Sequence, residues 1–266
     1  MLGYSFMQHA FFSGTIIAFI CGWISTFVIL RRTAFAAHAL GHTSLTGAAG
    51  AVLIGVSGMT GQLFINIVAA IVIGLLGDKV KKNDLVIGVV LTFFLGLGAY
   101  FLFLYQNNYA GGVMSILFGN ILAVSIDQIT TLCWLTLVVV IILIICMRPL
   151  LFSSIDPVLA KSKNVPEKFL NITFFILLAI TVSMGCQIVG ALLIFVLMVV
   201  PGAISAQWCK QFYSLLITSI CVAVATIWIS LTLSFYVNLP TSFCITMILC
   251  LMYFIGLIKN HFSKRN

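Results

Sequence analysis

Long apolar runs separated by short polar breaks set the rhythm of this chain. A helix needs roughly 20 apolar residues to cross the hydrocarbon core of a bilayer, and the sequence predicts nine such runs. The first runs from about His9 to Leu30 and ends at Arg31-Arg32, and the second takes in Thr33–Gly50 and ends near Ser57-Gly58. The third covers about Gln62 to Leu76 and stops at the charged segment Asp78–Asp84, and the fourth covers about Leu85 to Tyr105. The fifth, Gln128 to Met147, ends at Arg148-Pro149, and the sixth runs from Phe169 to Met184. The seventh spans Ile188 to Ala206 with Pro201-Gly202 near its end, followed by Phe212 to Tyr236 and Thr241 to Ile258. Val113–Val124 is too short to cross at 1.5 Å per residue and contains Gly119-Asn120, so it predicts a re-entrant or broken helix. The pattern defines an all-α, polytopic transmembrane bundle of about eight to nine spans, one domain over residues 1–266.

Composition agrees: 62% of residues are hydrophobic and 7% are charged, against about 25% charged in ordinary soluble domains. The net charge of +8 does not mark a nucleic-acid partner, because the 13 basic residues sit in clusters between apolar runs. With Val113–Val124 counted as re-entrant and the N-terminus outside, every Lys and Arg falls on one side, the positive-inside pattern. The C-terminal tail is then cytoplasmic. The opposite loops, near Ser57, Gln106–Gly112, Gly185 and Asn238–Pro240, carry no Lys or Arg. The N-terminal stretch lacks a basic n-region and an A-x-A site, so it reads as a retained first span. The eight cysteines form no CxxC pair and lie mostly in apolar runs, which argues against a disulfide framework and against a cysteine metal cluster.

Chemistry concentrates in the second run. His38 and His42 are four residues apart, which places them on one helix face a turn apart. Ionisable side chains inside a span are rare and mark pathways or partners, and neutral imidazole is the commonest protein metal ligand. Two imidazoles form a weak ladder for a divalent ion, as a carrier that must release its ion requires; hydrogen-bonded core histidines are the alternative. The run is otherwise rich in Ala, Gly and Ser, which lets helices approach closely in lipid. The segment Arg148–Lys168 predicts a short helix started by Asp156-Pro157 and stopped at Asn164-Val165-Pro166. It reads either as a docking helix or as a solvated connector. Gly190 and Pro201 within one span suit a kinked helix or one lining a transport site. All five acidic residues lie at or near span ends, so no carboxylate relay crosses the interior, and no GxxxxGK[ST] loop is present.

Four motifs then carry a resemblance. They are R-R-x-x-F with H-x-S-L-x-G (Arg31, Arg32, Phe35, His42, Ser44, Leu45, Gly47), L-F-G-x-I-L-A-V (Leu117 to Val124), Asp156-Pro157-x-Leu159-Ala160, and V-G-A-L-L-x-x-x-L-x-V-x-P-x-A (Val189 to Ala203). Together, over nearly the whole chain, they resemble the membrane permease subunit of bacterial ABC importers for zinc, manganese or iron. The resemblance implies a type II-like importer fold in the bacterial cytoplasmic (inner) membrane, assembled as a homodimer. It further implies cytoplasmic ABC ATPase subunits, an extracytoplasmic metal-binding receptor and no permanently bound cofactor. ATP hydrolysis then belongs to the ATPase, not to this chain.

In that family the helix matching Thr33–Gly50 carries Asp four residues before its His. His42 matches the family His, and His38 stands at the Asp position, so both are implied to line the metal path. The coupling segment matches Asp156, Pro157, Leu159, Ala160, Lys161, Lys163 and Asn164, with polar residues near Lys163-Asn164 where the family has a small Gly. Imidazole suits zinc, copper, iron and nickel, whereas manganese prefers oxygen ligands. Exchanging carboxylate for imidazole therefore points to zinc ahead of manganese or iron. Two other classes remain open: an ion-driven carrier or channel acting without an ATPase, and a structural subunit of a membrane enzyme.

Overall fold

The structure, a computed structural model, describes residues 4–77, 83–104, 119, 121–155, 160, 162–163 and 166–263. Among these residues the chain forms nine α-helices, one short 3-10 turn and no strand. Helix α1 spans Ser5–Leu30, α2 Ala34–Ile54, α3 Gly58–Gly77 and α4 Asn83–Leu104. The turn Ile121–Ala123 precedes α5, Ile126–Ile155. Then follow α6 (Glu167–Ile188), α7 (Ala191–Trp208), α8 (Phe212–Val237) and α9 (Thr241–Ser263). Eight of the nine are long and apolar enough to cross a membrane, and the all-helical expectation holds. The exception is α2.

Helix α2 is poor in large apolar side chains and carries two His, two Thr and one Ser. It is enclosed by α3, α4, α6 and α7, which makes that polarity tolerable at membrane depth. The enclosure depends on small residues. A Cβ on Gly47 would overlap the backbone of Gly61 and Gln62, and one on Gly61 would overlap the Gly47 carbonyl. Backbone-to-backbone contact of this kind is how helices attract in lipid, where apolar burial gives no advantage over the lipid tails. Helix α1 packs mainly on α8 and α7. Where Pro201 removes a backbone donor from α7, Ser25 of α1 accepts a hydrogen bond from the Gly202 N–H at 2.8 Å, stitching α7 to α1 beside the proline.

Several boundaries differ from the expectations. The second span stops at Ile54 because Gly55 turns left-handed (φ 76°) and caps the last carbonyls. The fifth does not end at Arg148-Pro149 but continues to Ile155. Leu150 is fully buried there, and Ser153 and Ser154 donate to its carbonyl at 3.1 and 2.5 Å within the last turn of the helix. Its start is sharper than the apolar run suggested. Ser125 and Gln128 form a reciprocal capping box, Gln128 N–H to Ser125 Oγ at 3.3 Å and Ser125 N–H to Gln128 Oε1 at 3.0 Å.

The sixth and seventh spans nearly abut. Helix α6 runs to Ile188 and α7 starts at Ala191, with Gly190 between them at φ 101°. Near the end of α6, the Cys186 thiol lies 3.4 Å from Ser44 Oγ, halfway along α2. The junction therefore sits beside the middle of α2, ten residues or roughly 15 Å short of its far end. Gly119 packs on this junction, where a Cβ would overlap Val189 and Gly190. Ile121 reaches Gly14, nine residues or roughly 14 Å inside α1. The end of the Val113–Val124 segment thus packs against the interior of the bundle through Gly119, Ile121 and Val124, while Leu122 and Ala123 are exposed. Residues 113–118 and 120 fall outside the described residues.

Candidate functional site

The site begins on α2. His38 and His42 are half-buried, with ring centroids 4.6 Å apart and planes at 84°, an edge-to-face pair. His38 also meets Phe195 of α7 edge-on at 5.0 Å. Phe35, His38, His42 and Leu45 follow helical spacing and form the least covered strip of α2. Leu192, Phe195, Val196 and Val199 form a similar strip on α7. The two strips make one partly open face that carries the imidazoles.

Among the described residues, no group of three or more His, Cys, Asp or Glu converges anywhere. The imidazole pair is therefore an incomplete ligand set on its own, able to touch a metal ion without enclosing it. A cavity of about 1050 Å³ is not lined by either histidine. It is bounded by Gly119, Ile121 and Leu122, by Leu192 and Val196 of α7, and by Asn238 to Phe243 at the α8–α9 turn.

The opposite side of α2 holds a polar cluster that sequence reasoning passed over. Asn66 of α3 is fully buried and accepts from Thr43 Oγ1 at 2.6 Å. Its amide donates to Ser44 Oγ at 2.6 Å and to Ser183 Oγ of α6 at 2.8 Å. Ser183 also donates to the Gln62 carbonyl at 3.3 Å. A second tie holds Thr46 Oγ1 to the Phe94 carbonyl of α4 at 2.7 Å. Thr43 and Ser44 directly follow His42, so Asn66 fixes the rotation of α2 about its axis and with it the direction of the imidazoles. The available signal was Gln62 and Asn66, two polar residues four apart in an apolar run.

The coupling segment is described only in part. Asp156, Pro157, Leu159, Lys161 and Asn164 lie outside the described residues. Ala160 is fully buried, and the Lys163 ammonium stands 5.8 Å over the Phe152 ring at the end of α5.

A bundle of membrane-crossing helices enclosing one polar, histidine-bearing helix defines a permease-type membrane protein. The model of the ABC 3 transport family matches residues 3–260, and the chain belongs to that family of ABC metal importer permeases. It is 28% identical over 260 residues to the chelated iron transport system membrane protein YfeD of Yersinia pestis, covering 97% of this chain and 86% of that one. It is 32% identical over 204 residues to the manganese transport system membrane protein MntC of Halalkalibacterium halodurans, covering 76% and 70%. In fold it is similar to PsaBC from Streptococcus pneumoniae in complex with Fab, with a TM-score of 0.83 at 24% identity, over 95% of this chain and 91% of that one.

Proposed function

We propose that this chain is the membrane subunit of an ATP-driven importer in which His38 and His42 are transient ligands of a divalent metal ion. The observation that carries this reading is the edge-to-face imidazole pair on the one helix too polar to be counted among the membrane-crossing set. A pair that touches an ion without enclosing it suits release as well as capture. The open face of α2 and α7 fits a path closed by a second copy of the chain, whose own histidines would complete the coordination. The ATPase is a separate cytoplasmic subunit seated at residues 156–165, and an extracytoplasmic receptor delivers the metal. The N-terminus faces outside, the C-terminus faces the cytoplasm, and the membrane is the bacterial inner one.

For the metal, the chemistry of two imidazoles favours zinc. Manganese or iron is the second reading, favoured by the names carried by relatives. Uptake of zinc, manganese and iron by cells carrying His38→Ala, His42→Ala or both tests the ligand role. Loss of uptake with the protein still in the membrane is expected. Normal uptake in the double variant would remove the histidines from the path.

A further inference from the structure

We propose that Arg31 is a positioning residue that transmits movement of the adjoining ends of α5 and α6 to the histidine helix. The proposal rests on the importer reading above, since it presumes an ATPase acting at the 156–165 segment. Arg31 caps α1 and opens the turn into α2. Its Nη1 donates to Ser153 Oγ at 3.4 Å, two residues before α5 ends. Its Nη2 donates to Asn171 Oδ1, near the start of α6. The guanidinium lies over the Phe174 ring, 5.1 Å from its centroid. One side chain thus grips both the helix that enters the coupling segment and the helix that leaves it.

The turn behind that side chain is stiff. Arg31 N–H bonds the Phe27 carbonyl at 2.9 Å, Arg32 N–H the Ile29 carbonyl at 3.2 Å and Thr33 N–H the Val28 carbonyl at 3.0 Å. Arg32 sits at φ 55°, a left-handed conformation rare outside glycine. Helix α2 starts at Ala34, and His38 follows about one turn later. Because α1 and α2 touch each other very little, the turn is the direct link between the grip and the imidazoles. A push on the α5 and α6 ends therefore has a route to the start of α2 through Arg31, beside the direct packing of α6 on the middle of α2.

The plainer role for Arg31 is an interfacial charge that holds the turn at the membrane surface. Lysine would serve that role equally well, reaching water along its apolar stem. Lysine cannot bond two acceptors with a planar fork while stacking on a ring. Arg31→Lys therefore separates the two roles.

The test uses the whole complex of this chain with its ATPase and receptor in sealed vesicles, supplied with zinc, manganese or iron as the single metal. The quantity read is metal accumulated per ATP hydrolysed. Arg31→Lys is expected to lower the ratio at least about tenfold while ATP hydrolysis continues. Asn171→Leu should lower it too, and Asn171→Asp, which keeps an acceptor for Nη2, should not. An unchanged ratio in Arg31→Lys overturns the proposal, even if both rates fall in parallel. If that variant does not assemble, Ser153→Ala and Phe174→Leu weaken the same grip with the arginine in place, and unchanged ratios there overturn it equally. Wild-type complex that hydrolyses ATP without accumulating any of the metals would instead overturn the importer reading and the grip with it.

Discussion

Asn66→Ala is the most informative single perturbation of the fold around the histidines. Alanine deletes three hydrogen bonds at once, from Thr43 and to Ser44 and Ser183. Interhelical hydrogen bonds in membrane proteins average about 0.6 kcal/mol each, so the three together contribute roughly 2 kcal/mol. The three hydroxyls keep other acceptors: Thr43 and Ser44 each reach the Leu40 carbonyl at 3.0 Å, and Ser183 reaches the Ala179 carbonyl at 2.9 Å. No hydroxyl proton is stranded, which keeps the loss from growing toward the cost of an unsatisfied buried group. A loss of about 2 kcal/mol shifts the folded-to-unfolded ratio about thirtyfold. Equilibrium unfolding of the purified protein in mixed micelles, titrated with a denaturing detergent, measures it. A change below about 0.5 kcal/mol would mean the cluster does not hold α2, and one above about 4 kcal/mol would mean the hydroxyls do not fall back on their own helices.

Two further outcomes follow from the geometry. Gly61→Leu should separate α2 from α3 and abolish the monodisperse folded protein in size-exclusion chromatography, whereas Gly96→Leu, which faces open space, should leave the elution profile unchanged. Equal behaviour of the two variants would refute the close crossing. His38→Asp puts a carboxylate beside His42 and should raise the preference for manganese over zinc. Competition between the two metals in uptake measures this, and an unaltered ratio would show that position 38 does not set selectivity.

The helices were legible because their cause is local: a run of apolar residues of bilayer length needs no partner to be recognised. The histidine pair was legible for the same reason, since helical spacing alone stacks positions 38 and 42. Boundaries set by single backbone conformations were less so. Gly55, Gly190 and the capping box at Ser125 decide ends that hydropathy blurs, and Arg148-Pro149 reads as a stop although the helix carries the proline in its interior and continues to Ile155. The contacts that define the site were not legible at all. Phe195 meets His38 across more than 150 residues of chain, and Asn66 reaches Ser183 over a separation of 117. Such pairings depend on how helices cross, which the apolar pattern does not encode.

The low hydropathy of α2 has a consequence for how the protein is made. A segment with this many polar side chains partitions poorly into lipid on its own, while α1 and α3 on either side partition strongly. Helix α2 is therefore expected to enter the bilayer with its neighbours and to gain stability there when α3 supplies Gly61 and Asn66. The residues that aim the imidazoles in the finished protein would then also decide whether the histidine helix is retained in the membrane during synthesis.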